Sequence, residues 1–273
     1  MPFVTVDDVR LHYEDSGTGD PVVMIMGTGT RGQAWHLHQV PALVAAGYRV
    51  ITLDNRGIPP SDPAPADLTV GDLVGDVAGL IEQLELAPCR LVGTSMGAYV
   101  AQELALARPE LVRQAVLMAS HCRSDTMRSV LSQAERDLYD AGLELPARYR
   151  AAVRAMQTLS PRTLNDDQSV ADWLDLLELS GERGPGARAQ MGLEPMPDRR
   201  SAYRGIGVPC HVLSFADDLI ASPAQGAELA EVIPGASFEV VPDAGHYGYL
   251  ERPEPVNESI CRFFAAVRMP AGR

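Results

Sequence analysis

The chain has 273 residues, 46% of them hydrophobic, enough for one large core or for a core carrying an insertion. Its formal net charge of −13 argues against a nucleic-acid partner, and no apolar run reaches the length of a membrane span. All 23 basic residues are arginine, which excludes a lysine nucleophile or a lysine-bound Schiff-base cofactor.

The N-terminal stretch, Met1 to Asp8, is acidic and alternating, unlike a signal or transit peptide, so a cytoplasmic location is expected. Phe3–Val6 and Arg10–Glu14 flank a turn at Asp7-Asp8 and read as a hairpin. Val22–Met26 is an unbroken apolar run, as in a strand covered on both faces, and the flexible stretch Gly27-Thr28-Gly29-Thr30-Arg31-Gly32 follows it. A helix is expected over Trp35–Ala46, stopped by Gly47, and then a strand over Tyr48–Leu53. The proline-rich segment from Ile58 to Ala66 must be a loop. Val70, Leu73, Val74, Val77, Leu80, Ile81 and Leu84 recur at helical spacing.

A short apolar strand then runs into Gly93-Thr94-Ser95-Met96-Gly97, and a helix to about Ala107 follows it. Gly-x-Ser-x-Gly at a strand-to-helix turn is the spacing of a nucleophile elbow. The serine takes a strained backbone, and residues two before and two after it must lack a Cβ. Its hydroxyl then stands at a helix N-terminus, where free amides suit a developing oxyanion.

Ala115–Met118 is another buried strand. From Cys122 to Arg204 the pattern is helical only: Met127–Ala141, Ala147–Leu159 and Val170–Leu179, with a Gly/Pro break at 181–186. Alternation resumes with strand Cys210–Phe215, helix Pro223–Val232, strand Ser237–Val241 and helix Pro255–Val267. This order predicts an α/β protein with a mostly parallel sheet and helices on both faces. The expected core spans residues 1–121 and 206–273, and residues 122–205 form an inserted helical block.

An activated serine needs a base and an orienting acid. Among the six histidines, His246 lies in Pro242-Asp243-Ala244-Gly245-His246-Tyr247, a loop after the last strand, where open α/β sheets place their ligands. His211 and His12 read as structural, and His121 has no supporting motif. His36, near the glycine loop, is a candidate substrate contact by position. The acid is Asp217 or Asp218, both at the end of the Cys210–Phe215 strand. The resulting chain order is Ser–acid–His. Cys89, Cys122, Cys210 and Cys261 have neither metal-ligand nor redox-motif spacing, and no metal or cofactor is expected.

With these residues in place the chain resembles the α/β-hydrolase superfamily over nearly its whole length. Met26-Gly27-Thr28-Gly29 is similar to that family's glycine loop, with Met26 where His is usual. Asp54-Asn55-Arg56-Gly57-Ile58-Pro59-Pro60-Ser61 resembles its Asp-x-Arg-Gly-x-Gly-x-Ser loop. Phe215-Ala216-Asp217-Asp218 resembles its Gly-x-x-Asp acid loop, with Phe215 replacing the glycine, and this alignment selects Asp218. Gly245-His246, followed by Glu251 and Pro253, looks like its histidine loop.

The resemblance implies Ser95, Asp218 and His246 as catalytic residues, with the Thr28 and Met96 amides as the oxyanion hole. It makes the helical block a cap that shapes an acyl pocket. Met127, Tyr139, Tyr149, Met156, Trp173 and Met191 are the bulky cap candidates for its lining. Met26, Gly27, His36, Met127, Trp173 and Tyr247 are the expected substrate-binding set. The implied reaction is hydrolysis of an ester, thioester or lactone of a small-molecule acyl substrate, free or carrier-linked, without nucleic-acid or membrane partners. The segment from Gly29 to Asp62 is also similar to hydrolases and acetate-eliminating lyases of actinobacterial antibiotic pathways. A lyase or cyclase, or a non-catalytic receptor on the same fold, are the alternatives.

Overall fold

A computed structural model describes residues 2–179 and 184–266. Its sheet has eight strands: β1 (Phe3–Val6), β2 (Val9–Gly17), β3 (Asp20–Ile25), β4 (Tyr48–Leu53), β5 (Cys89–Thr94), β6 (Val112–Met118), β7 (Cys210–Phe215) and β8 (Ser237–Val241). They lie in the order β1-β2-β4-β3-β5-β6-β7-β8. Only the β1–β2 and β2–β4 pairs are antiparallel; β4 through β8 run parallel.

The period-2 alternation of the strands divides the core in two. Val23 and Ile25 of β3 face one cluster with Leu91 and Leu117, while Val22 and Met24 face the other with Val92 and Val116. The first cluster is covered by α2 (Val70–Gln83), α3 (Met96–Ala107) and α10 (Pro223–Val232). The second is covered by α1 (Gln39–Ala45) and α12 (Pro253–Ala266). Helices on both faces of a parallel sheet explain why the central strands read as unbroken apolar runs.

Between β6 and β7 lie α4 (Thr126–Asp140), α5 (Ala147–Thr158), α6 (Pro161–Leu164), α7 (Asp167–Leu179), α8 (Pro185–Met191) and α9 (Arg200–Tyr203), with no strand among the described residues. α4 to α8 form the inserted helical cap. At the two ends of the block, Cys122 and Tyr203 are fully buried in the first cluster. A short helix, α11 (Gly248–Glu251), precedes α12. The expected break at 181–186 falls partly outside the described residues, and its last two positions open α8.

The helix expected over Trp35–Ala46 is two pieces, a 3₁₀ turn over Gly32–Leu37 and then α1, broken at His38 with φ −143. The cause is Pro41. Within a continuous helix its ring would clash with the Leu37 carbonyl, whereas in the first turn of α1 it is tolerated.

Candidate active site

Ser95 joins β5 to α3 with φ 54 and ψ −121, a backbone that side-chain-bearing residues rarely adopt. The flanking glycines make it possible. A Cβ on Gly93 would stand 2.4 Å from the Gly97 carbonyl oxygen, and one on Gly97 2.1 Å from that of Ile25. Helix α3 therefore starts directly against β3, and Ser95 is left part-exposed above the sheet.

His246 Nε2 lies 3.1 Å from Ser95 Oγ, and His246 Nδ1 lies 2.8 Å from Asp218 Oδ2. The other Asp218 oxygen accepts from the Ile220 and Ala221 amides at 2.8 and 2.9 Å. Asp218 is 3% exposed, so both its oxygens are fixed by partners. Its neighbour Asp217 is half-buried and contributes its backbone amide, to the Ala244 carbonyl. Of the two acids left open by strand position alone, the structure brings Asp218 to the histidine.

The histidine loop is pinned from both sides. Glu251 accepts from the Gly245 amide at 2.7 Å and from the Ser160 amide at 2.9 Å, tying the loop to the cap. Gly245 abuts the end of α5, where a Cβ would meet the Thr158 carbonyl at 2.4 Å. Phe215, in the place of the acid-loop glycine, is fully buried against Gly248; a Cβ there would lie 2.3 Å from the ring. A large side chain at one position is offset by the absence of one at the other.

The glycine loop approaches Ser95 from β3. A Cβ on Gly27 would lie 3.3 Å from Ser95 Cβ. Asn55 Nδ2 donates to the Met26 carbonyl at 2.9 Å, and Asp54 Oδ1 accepts from the Gly32 amide at 2.7 Å, so both ends of the loop are held. The Thr28 amide has no acceptor among the described residues. Met96 is the first residue of α3, where an amide has no intrahelical acceptor.

These groups border one cavity. Met26, Gly27, Thr28, Ser95, His246 and Tyr247 line it from the core, and Arg128, Glu135, Arg154, Met191 and Glu194 from the cap. Burial works to raise the Glu194 pKa. The His121 imidazole and the Arg128 guanidinium, each 3.5 Å away, outweigh it and hold the carboxyl at about 2. Burial raises the Tyr249 phenol, which also borders the cavity and donates to the Met26 sulfur at 3.7 Å.

Three expected substrate contacts are corrected. His36 is outside the lining; its Nε2 lies 3.2 Å from Glu14 Oε2 and 3.3 Å from Thr52 Oγ1, so β2 and β4 hold it. Met127 is 68% exposed, on the outer side of α4. Trp173 does not line the cavity but stacks on Tyr247, with centroids 6.2 Å apart at 16°. Tyr139, Tyr149 and Met156 are likewise exposed, and of the bulky cap candidates Met191 reaches the cavity. His12 bonds Asp54, and His211 sits between Ser237 and Ser259, both structural as expected.

What the sequence reading missed is the polar cap wall. Arg128, Leu131, Ser132 and Glu135 all line the cavity at i, i+3, i+4 and i+7 of α4. The stripe is regular, but a mixed polar stripe on a helix reads first as a solvated face. Among the described residues no cluster of three or more His, Cys, Asp or Glu side chains could hold a metal ion. No helix of the described residues is long and apolar enough to cross a membrane.

The model of the alpha/beta hydrolase family matches residues 22–259. The chain belongs to the α/β-hydrolase family. It is 48% identical to the Mycobacterium tuberculosis protein described as "Putative non-heme bromoperoxidase BpoC", over 95% of this chain and 99% of that one. The crystal structure of BpoC superimposes with a TM-score of 0.92, covering 95% of this chain and 97% of the other. The enol-lactonase of Burkholderia xenovorans LB400 is 26% identical, with a TM-score of 0.78 over 97% of this α/β-hydrolase and 100% of the lactonase. The relatives named here carry bromoperoxidase and lactonase descriptions rather than antibiotic-pathway ones.

Proposed function

We propose that this α/β-hydrolase cleaves an ester, thioester or lactone through an acyl-enzyme on Ser95. The observation that carries the reading is the continuous chain from Ser95 Oγ through His246 to Asp218, at 3.1 and 2.8 Å. His246 Nε2 takes the hydroxyl proton as Oγ bonds to the substrate carbonyl carbon. Asp218 holds the imidazole tautomer and stabilises the imidazolium. The tetrahedral oxyanion is met by the Thr28 and Met96 amides. Collapse breaks the bond to the leaving group, which receives the proton from His246. Water then repeats the cycle, with His246 again as base, and releases the acid. The helical cap covers the site and bounds the acyl pocket.

The test is labelling by a fluorophosphonate probe. Labelling that maps to Ser95, and is lost with turnover of p-nitrophenyl esters in Ser95→Ala, supports the reading. An unlabelled, folded protein favours a receptor, or lyase chemistry carried by His246 alone.

The likeness to BpoC favours a second reading on the same residues. Hydrogen peroxide in place of water would open the acyl-enzyme to a peracid, which oxidises bromide as it returns to the acid. Bromination that requires both Ser95 and an added carboxylic acid supports this; bromination retained by Ser95→Ala sinks it.

A further inference from the structure

We propose that Arg128 and Arg154 form a carboxylate-binding subsite beside Ser95, so that the preferred acyl substrate carries an anionic group beyond its scissile carbonyl. The proposal rests on the reading of Ser95 as the nucleophile and adds a substrate class to it.

Several arginines outside the cavity sit on carboxylates at hydrogen-bond distance. Arg199 takes both oxygens of Glu103 at 2.8 and 2.7 Å, and Arg188 both oxygens of Asp140 at 2.8 and 2.6 Å. The two cavity arginines are held more loosely. Arg128 is 16% exposed, its guanidinium is 3.5 Å from Glu194, and its buried Nε has no hydrogen-bond partner among the described residues. Arg154 spends Nε and Nη2 on the Tyr247 hydroxyl, a neutral acceptor, and stands 3.8 Å from Glu135. A buried guanidinium short of acceptors is costly unless something fills the gap.

Glu194 cannot fill it. Glu194 already takes the Ser124 hydroxyl and the Met196 amide in addition to His121 and Arg128. The unmet capacity in the wall is therefore for donation, which selects an acceptor-rich ligand. Two planar guanidinium forks suit a carboxylate. Glu135 and Glu194 offset both cationic charges, so a singly charged group fits better than a doubly charged phosphate.

Whole-molecule charge supports this placement. The net charge is −13, of which residues 122–205, with 12 arginines against 13 Asp and Glu, hold only −1. An anion approaching the acidic body finds its cationic donors on the cap wall of the cavity.

The test uses two probes that differ in one charge, monomethyl glutarate and the neutral dimethyl glutarate. Their binding is measured by calorimetry on the Ser95→Ala protein, which keeps both arginines and cannot turn over. The monoanion should bind about tenfold or more tighter than the diester. Raising salt should erode that preference without moving the diester. Adding Arg128→Gln or Arg154→Gln should reduce the preference about tenfold, and Arg128→Lys should return part of it, which a merely structural role would not do. Equal binding of the two esters, or a preference indifferent to salt and to both substitutions, overturns the subsite. The salt arm needs no arginine variant, so a misfolded variant does not remove the test. Fluorophosphonate labelling of the unsubstituted protein judges the nucleophile separately: labelling with no anion preference fails the subsite alone, and anion preference without labelling fails the hydrolase reading alone.

Discussion

Gln190 of the cap accepts a hydrogen bond from the Gly29 amide through Oε1 at 2.9 Å, while its Nε2 donates to the Arg56 carbonyl, also at 2.9 Å. One buried side chain thus fastens α8 to two core loops, including the loop that carries Thr28. Gln190→Ala leaves the Gly29 amide and the Arg56 carbonyl without that partner and frees the loop to shift. Because small misplacements near a reacting centre are costly in rate, kcat/KM for a p-nitrophenyl ester should fall about tenfold. Gln190→Glu keeps an acceptor for Gly29 but turns a buried carboxylate oxygen toward the Arg56 carbonyl, so it should fall at least as far. Steady-state kinetics with a thermal melt decide it: a rate within twofold of the parent would mean the loop holds its shape unaided.

Asp217 and Asp218 are adjacent, yet their environments predict different outcomes. Asp218 is buried and receives His246 Nδ1 and two backbone amides, so Asp218→Asn removes the charge that fixes the imidazole tautomer. The expected loss in kcat is about 10³–10⁴. Asp217 is half-buried, and its backbone amide is what holds the Ala244 carbonyl, so Asp217→Asn should stay within a few-fold. Comparable losses in both variants would overturn the assignment of the acid.

The contrast between these carboxylates also shows what could be read from sequence. The sheet was legible because its strands are short apolar runs bounded by turn residues, and the amphipathic spacing from Val70 announced α2. The meeting of Ser95, Asp218 and His246 is legible because each follows a strand in a short motif. Partners far apart in sequence were not. Nothing local to His36 says that Glu14 will face it across the sheet, and its position beside the glycine loop alone points to a substrate contact. The cap was harder still. Size and hydrophobicity point to large side chains as its lining, but Met127, Tyr149 and Met156 are exposed while charged Arg128 and Arg154 line the cavity. Hydrophobicity locates a core, whereas a cavity wall made for a polar ligand has the composition of a surface.

The elbow makes a stability prediction with an internal control. A Cβ on Gly97 would meet the Ile25 carbonyl oxygen at 2.1 Å, and that atom is backbone and cannot swing aside. Gly97→Ala should therefore cost about 1–3 kcal/mol or more. Gly75 lies exposed inside α2, where a Cβ would meet nothing within 4 Å. Gly75→Ala should stabilise the protein by about 0.4–1 kcal/mol by restricting the unfolded chain. Denaturant midpoints read both; a harmless Gly97→Ala would mean that α3 does not press on β3 as described.

The last prediction concerns acid stability and Glu194. Its pKa falls from 4.5 to about 2 on folding: burial opposes the fall, and His121, Arg128 and Ser124 outweigh burial. A depressed folded-state pKa means that the native state binds its proton less readily than the unfolded chain does. The resulting stabilisation is fully present above pH 4.5 and is lost progressively as pH falls from there toward 2. A shift of this size corresponds to something on the order of 3 kcal/mol. Glu194→Gln keeps the shape but removes the charge, leaving Arg128 and His121 without their shared carboxylate. It should be less stable than the parent at pH 7, by a margin that narrows as pH drops below 4.5 and closes toward pH 2. Denaturant titrations of both proteins at pH 7, 5, 4 and 3 give that margin directly. A gap that stays constant across the series would show that Glu194 acts by packing and hydrogen bonding alone, with its charge contributing nothing to the fold.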